Sequence, residues 1–101
     1  TLKQIVFALF PGGSITGAPK KNSIRIIKKL EKNLREFYCG STILHFQENL
    51  KASINIRSAE ISLSSYILKY SAGGGITLKS ELKDEFSELI HKKVSFFSLF
   101  S

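Results

Sequence analysis

The 101-residue sequence has no methionine and opens on Thr1. It is therefore read as a processed form or a piece, not as an unprocessed reading frame. Its single cysteine, Cys39, excludes an internal disulfide and points to a reducing, cytosolic setting. Long apolar runs are absent: Ile5 to Pro11 and Val94 to Phe100 fall far short of the about 20 residues needed to cross a bilayer. No secretory apolar segment with a small-residue cleavage site follows the first residues. What is present, 43% hydrophobic and 23% charged residues, excludes collagen, low-complexity disorder and a disulfide scaffold. The length allows one domain, large enough to bury a core if the whole fold is present.

The charge is unbalanced, with 15 Lys and Arg against 8 Asp and Glu, a net +7. An anionic ligand or nucleic acid would suit such a chain. The surplus is also localised. Lys20, Lys21, Arg25, Lys28, Lys29, Lys32 and Arg35 crowd one segment, whereas Asp84, Glu85 and Glu88 cluster near the end.

Leu2, Ile5, Val6 and Leu9 recur at helical spacing until Pro11-Gly12-Gly13 stops the pattern. A loop over 14–18 follows, and Pro19 suits the first turn of a second helix, where its missing N–H has no intrahelical partner. That helix is expected over 19–34, with Ile26, Ile27, Leu30 and Leu34 on one face and Lys21, Arg25, Lys28, Lys32 and Arg35 opposite. From Phe37 onward β-branched and aromatic residues predict strands near 37–46, 52–58 and 63–71, joined by short links that require antiparallel neighbours. Leu82, Phe86, Leu89 and Ile90 return to helical spacing and predict a helix over 81–94. The expected fold class is α+β, an antiparallel β meander with flanking helices. The tail 94–101 is read as an apolar tail or linker, frayed or packed against something else.

Several stretches could carry chemistry. The loop 11–20 lacks the spacing of a phosphate-binding loop, because Ala18-Pro19 separates its last glycine from Lys20. It retains the elements of a generic anion site: a helix N-terminus, Lys20, Ser14 and Thr16. A helix simply capped by Thr16 or Ser14 is the competing reading. Gly73-Gly74-Gly75 could present backbone N–H groups to a carboxylate, or merely mark a bulge. Glu81, Glu85, Glu88 and Lys92 share a flank of the last helix, where paired carboxylates could take Mg²⁺ or a Glu88–Lys92 pair could form on a solvated face. Arg57 lies in Ile54-Asn55-Ile56-Arg57, whose alternation sends Arg57 and Asn55 to one face of a strand. A forked guanidinium there suits a carboxylate ligand. His45, His91 and Cys39 show no metal-ligand or nucleophile spacing. The basic stripe of the second helix has no aromatic partners and matches no RNA-recognition motif.

Taken together, FPGGSITGAPK at 10–20, YCGS at 38–41, INIRS at 54–58, and SAGGGI at 71–76 followed by EFSELIHK at 85–92 resemble the C-terminal part of chorismate-utilising enzymes. The resemblance covers about Leu2 to Lys93, and residues 1–93 are read as the C-terminal portion of that catalytic domain. It implies a fragment of a layered α/β/β/α sandwich. Within the family, PGGS followed by TGAPK looks more like the aminodeoxychorismate synthases than the anthranilate synthases, which are the alternative. The implied reaction makes 4-amino-4-deoxychorismate from chorismate, with ammonia delivered by a glutamine amidotransferase partner, in p-aminobenzoate and folate biosynthesis.

Position by position, the resemblance implies that Tyr38 and Arg57 hold chorismate or its pyruvyl carboxylate, with Gly73 and Gly75 offering N–H groups and Ser14 lining the pocket. Glu88 matches a Mg²⁺ ligand, Glu85 the second glutamate of that helix, and Lys92 a lysine facing the substrate. The family's catalytic lysine and further Mg²⁺ ligands are expected upstream of Thr1, in a missing N-terminal part of the same enzyme, so the isolated chain is expected to be inactive. No membrane or nucleic-acid partner is implied. Departures include Asn22-Ser23-Ile24-Arg25, Lys51, Ser58 and Lys79, and a one-residue deletion between Gly40 and Asn49. A rival of another class is a small basic module that binds RNA or an acidic partner through the Lys21–Arg35 face.

Overall fold

The computed structural model describes residues 1–101 and divides into two compact units, Thr1–Asn55 and Ile56–Ser101. The first unit opens with helix α1 (Leu2–Leu9). Thr1 caps it reciprocally: its hydroxyl accepts the Gln4 N–H at 3.2 Å, and its amino group donates to Gln4 Oε1 at 2.7 Å. A one-turn helix α2 (Gly13–Thr16) occupies most of the expected loop. The Gly12 carbonyl organises it, accepting from the N–H groups of Ile15 and Thr16 and from the Thr16 hydroxyl. Gly17 ends it at φ +114°, a conformation where a Cβ would also lie 2.7 Å from Ser23 Oγ.

Helix α3 (Lys20–Leu30) starts after Pro19 and stops four residues before the expected Leu34. Glu31 leaves the helix with φ −80° and ψ 126°, and its carboxylate is taken by Arg35. Leu34, which continues the apolar spacing in the sequence, is 81% exposed. Strands β1 (Ser41–Phe46) and β2 (Asn49–Ile54) form an antiparallel hairpin in the register Ser41↔Ile54 to Phe46↔Asn49. Gln47 adopts φ +53° in the tight turn.

Just past this hairpin lies Asn55, the one buried residue, 6% exposed. Its N–H donates to the Gly40 carbonyl and its carbonyl accepts from Cys39 N–H, both at 2.9 Å, while its side-chain oxygen accepts from the Thr42 hydroxyl at 2.7 Å. A buried amide is tolerated when its groups are matched in this way.

The second unit contains the hairpin β3 (Ala59–Ser62) and β4 (Ile67–Tyr70), paired Ala59↔Tyr70 to Ser62↔Ile67. The expected strand over 63–71 therefore splits: residues 63–66 form the turn, with Tyr66 at φ +56°, and the expected link at 59–62 is itself a strand. Each hairpin forms a two-stranded sheet of its own, so the fold is α+β, built from two antiparallel hairpins with helices. Helix α4 (Leu82–Phe97) runs three residues beyond the expected end and continues into a 3-10 turn at Ser98–Phe100. Aromatic stacking holds this end: the Phe96 ring lies 3.9 Å from that of Tyr70 with a 4° interplanar angle, and Phe97 meets Tyr70 edge-on.

No apolar side chain is buried. The sequence allows for a core, but a two-stranded hairpin with one helix has too few layers to enclose one. The apolar positions of α4 illustrate this, with Phe86 60% and Val94 59% exposed. No helix is long and apolar enough to cross a membrane. The isolated chain is therefore expected to melt gradually, without a sharp cooperative transition, and to enhance the fluorescence of an apolar-surface dye at room temperature. A single steep calorimetric peak with no dye enhancement would contradict the absence of a core.

Candidate functional site

In the second unit the site grows from α4. Glu85, Glu88 and Lys92 are spaced at three and four residues, so they line one flank of the helix. Lys92 Nζ sits 2.7 Å from Glu88 Oε1 and donates to the Gly73 carbonyl at 2.9 Å. The lysine thus bridges the helix to the glycine loop between β4 and α4. The loop approaches closely: a Cβ on Gly74 would lie 3.3 Å from Glu85 Oε2, whereas one on Gly75 would meet nothing within 4 Å. A side chain at 74 would press on the Glu85 carboxylate, while glycine at 75 leaves the loop open.

Lys92 is the main cause that holds the Glu88 carboxyl below the usual carboxylate range, and Arg57 contributes to the same shift. Arg57 therefore joins this cluster electrostatically. Its route differs from the expected one. The strand predicted over 52–58 ends at Ile54, and Arg57 sits at φ +51°, so strand alternation does not set its direction. A non-glycine residue in this conformation is uncommon and costs backbone energy.

Glu85 and Glu88 supply carboxylate oxygens, the donor type that a hard cation such as Mg²⁺ prefers. They are two donors, and no group of three or more His, Cys, Asp or Glu side chains converges here. Their oxygen donor type suits a magnesium ion, for which two carboxylates would be only part of a coordination shell. Glu88 would share its charge between that ion and Lys92.

The first unit carries the other two positions. Ser14 lies exposed on α2. Tyr38 is half-buried in the turn that follows α3, and burial pushes its phenol up to about 12. A cleft of about 640 Å³ opens beside it, lined among others by Ile24, Ile27, Leu34, Arg35, Tyr38 and Cys39. Arg35 grips Glu31 with two N–H groups, at 2.9 and 2.6 Å, and this hydrogen bonding lowers the Glu31 carboxyl. A third Arg35 N–H reaches the Ile15 carbonyl at 3.4 Å.

Other expected features are absent or used differently. Lys20 Nζ donates to the Ala8 carbonyl at 3.3 Å and the Thr16 hydroxyl to the Gly12 carbonyl at 3.1 Å, so both are engaged by the protein's own backbone. The N-terminus of α3 has no side-chain cap, so the expected Ser14 or Thr16 cap is not formed and the first N–H groups of the helix take no side-chain partner. The basic stripe is also shorter than its sequence implies. Lys32 and Arg35 lie beyond the end of α3, and Arg35 is neutralised by Glu31. Sequence reasoning missed the Glu31–Arg35 fork, although the i, i+4 acid–base spacing was legible.

A family model described as chorismate binding enzyme matches residues 1–98. An uncharacterized PabA-like protein of Pasteurella multocida is 42% identical over 88 residues, which is 87% of this chain and 26% of that protein. Aminodeoxychorismate synthase component 1 of Klebsiella aerogenes is 45% identical over 90 residues, 88% of this chain and 20% of that enzyme. The Escherichia coli enzyme of the same name is 44% identical over 90 residues, covering 88% and 19%. The chain thus spans 19–26% of the length of these three relatives. No solved structure matches it. The glycine loop, the paired carboxylates and Lys92 lie within the matched span, and with nearly the whole sequence matched the chain belongs to the chorismate binding enzyme family.

Proposed function

We propose that this chain is one portion of an aminodeoxychorismate synthase and contributes binding groups for chorismate. The observation that carries this reading is the Lys92 bridge, which sets the Gly73 carbonyl and the Glu88 carboxylate on one ammonium group. Around it stand the groups a dianionic substrate requires. Arg57 offers a planar fork to a carboxylate, and the open backbone at Gly75 offers an N–H with no side chain in the way. Lys92 places positive charge between loop and helix. Tyr38 and Ser14 are the hydroxyl-bearing positions that the same reading assigns within the first unit.

Two glutamates beside a substrate carboxylate repel it, and a divalent cation removes that conflict. Mg²⁺ held by Glu85 and Glu88 would supply this neutralisation when bound. The reaction replaces the 4-hydroxyl of chorismate by ammonia and releases water. A glutamine amidotransferase partner supplies the ammonia, and the product leads to p-aminobenzoate and folate. The name component 1, borne by the Klebsiella and Escherichia relatives, supports a partnered enzyme. The portions of those relatives that this chain does not span would hold the remaining groups.

The test is a chimera in which this chain replaces the matching 90 residues of the Escherichia coli component 1. With ammonia, Mg²⁺ and chorismate it is expected to form aminodeoxychorismate, and Arg57→Ala or Glu88→Ala should lower kcat/KM by about 100-fold or more. Exposed changes on the basic helix, Lys21→Glu with Lys29→Glu, should stay within about twofold. Full activity in Arg57→Ala would refute the assignment, and anthranilate as the product would move the chain to the other branch. The isolated chain should show no turnover, with or without Mg²⁺.

A pH dependence follows from Glu88. A carboxyl lowered in the folded state favours that state above its unfolded value, and the contribution is lost as pH falls through the folded value. The Lys92 bridge should therefore persist from neutral pH down to 4.5, the ordinary value for this group, and open only below it. Amide NMR shifts of Gly73 and Gly74 report this directly. A transition of those amides near neutral pH would contradict the assignment to Glu88.

A further inference from the structure

The turn that carries Tyr38 is conformationally demanding. Glu36 and Cys39, on either side of it, adopt φ +53° and +65°, conformations that non-glycine residues hold only when their surroundings impose them. The C-terminal side of the turn has an evident anchor, because Cys39 N–H and the Gly40 carbonyl exchange hydrogen bonds with Asn55. The N-terminal side hangs on Arg35. Its backbone carbonyl accepts the Tyr38 N–H at 3.0 Å, and its guanidinium binds both Glu31 oxygens and the Ile15 carbonyl. One residue, by its guanidinium and its backbone carbonyl, thereby ties the end of α3, the α2 segment next to Ser14 and the Tyr38 turn together. Its side chain is 27% exposed against 41% for Glu31, so the fork is partly shielded from competing water. A lysine could not reproduce it, because an ammonium lacks the planar spacing for two carboxylate oxygens and a carbonyl.

We propose that Arg35, acting through its fork on Glu31, is the positioning residue for Tyr38, and this rests on the reading of Tyr38 as a substrate contact. Arg35 itself touches no reacting atom. It sets where the phenol stands relative to the cleft and to α2. Cys39 follows Tyr38 in the chain, lines the same cleft as Arg35 and Tyr38 and is the only thiol in the chain, which makes it a built-in reporter of the turn.

The experiment has two arms. In the 101-residue chain, Arg35→Lys and Glu31→Gln should each speed modification of Cys39 by a small thiol reagent about tenfold, and the double variant no more than either alone, as expected for one coupled unit. An unchanged far-UV circular dichroism spectrum shows that the helices persist, and Glu31→Gln carries the test if Arg35→Lys does not fold. In the chimera, Arg35→Lys should raise the KM for chorismate about fivefold with kcat within about twofold, and should add nothing to Tyr38→Phe. Unchanged or additive thiol rates overturn the proposal, as does an Arg35→Lys effect on KM that adds in full to that of Tyr38→Phe. A Tyr38→Phe chimera with unchanged KM and a coupled thiol response instead removes the substrate role of Tyr38, and the positioning role falls with it.

Discussion

The ammonium group of Lys92 faces a carbonyl and a carboxylate at once, and the geometry of the second unit depends on that double contact. In a domain with a packed interior, apolar contacts would decide how a loop lies against a helix. Here no apolar side chain is buried, so a polar tie takes over that task for the glycine loop. Exposed ion pairs contribute little to stability, about 0–1 kcal/mol. The value of this pair is geometric: it holds the Gly73 backbone against the flank that carries Glu85 and Glu88. The first unit repeats the device with Arg35, Glu31 and the Ile15 carbonyl.

Both ties use one cation to join elements distant in sequence, and both lie next to positions that the proposed function assigns to chorismate. The rest of the surface shows what such ties cannot replace. Phe7 at 71%, Leu63 at 81% and Leu82 at 86% exposure are open to solvent, an amount of apolar surface that favours association. The chain also spans only 20% of its Klebsiella relative.

How far the sequence could be read depended on how local the governing physics is. The flank of α4 was legible because helical spacing alone puts Glu88 and Lys92 one turn apart, and they pair. The Pro11-Gly12-Gly13 stop was legible for the same reason. Two boundaries were not. Leu34 kept the apolar period of α3 alive in the sequence, while the chain had already left the helix at Glu31 to meet Arg35. Likewise the alternation Ile54-Asn55-Ile56-Arg57 resembled a strand, but pairing ended at Ile54, where Asn55 turned instead to Cys39 and Gly40. In the second case backbone partners outside the local window overrode the periodic pattern.

The sequence by itself determined the family, through four ordered blocks whose residue types and spacing survive in one dimension. It also determined the α+β class and the charge pattern of the last helix, since helical and strand periods act over a few neighbouring residues. Tertiary structure alone decided the long-range partners of the chemistry-bearing groups: Lys20 is engaged by the Ala8 carbonyl, Arg35 by the Ile15 carbonyl and Lys92 by the Gly73 carbonyl. These contacts depend on distances across the fold, and no periodicity along the chain encodes them.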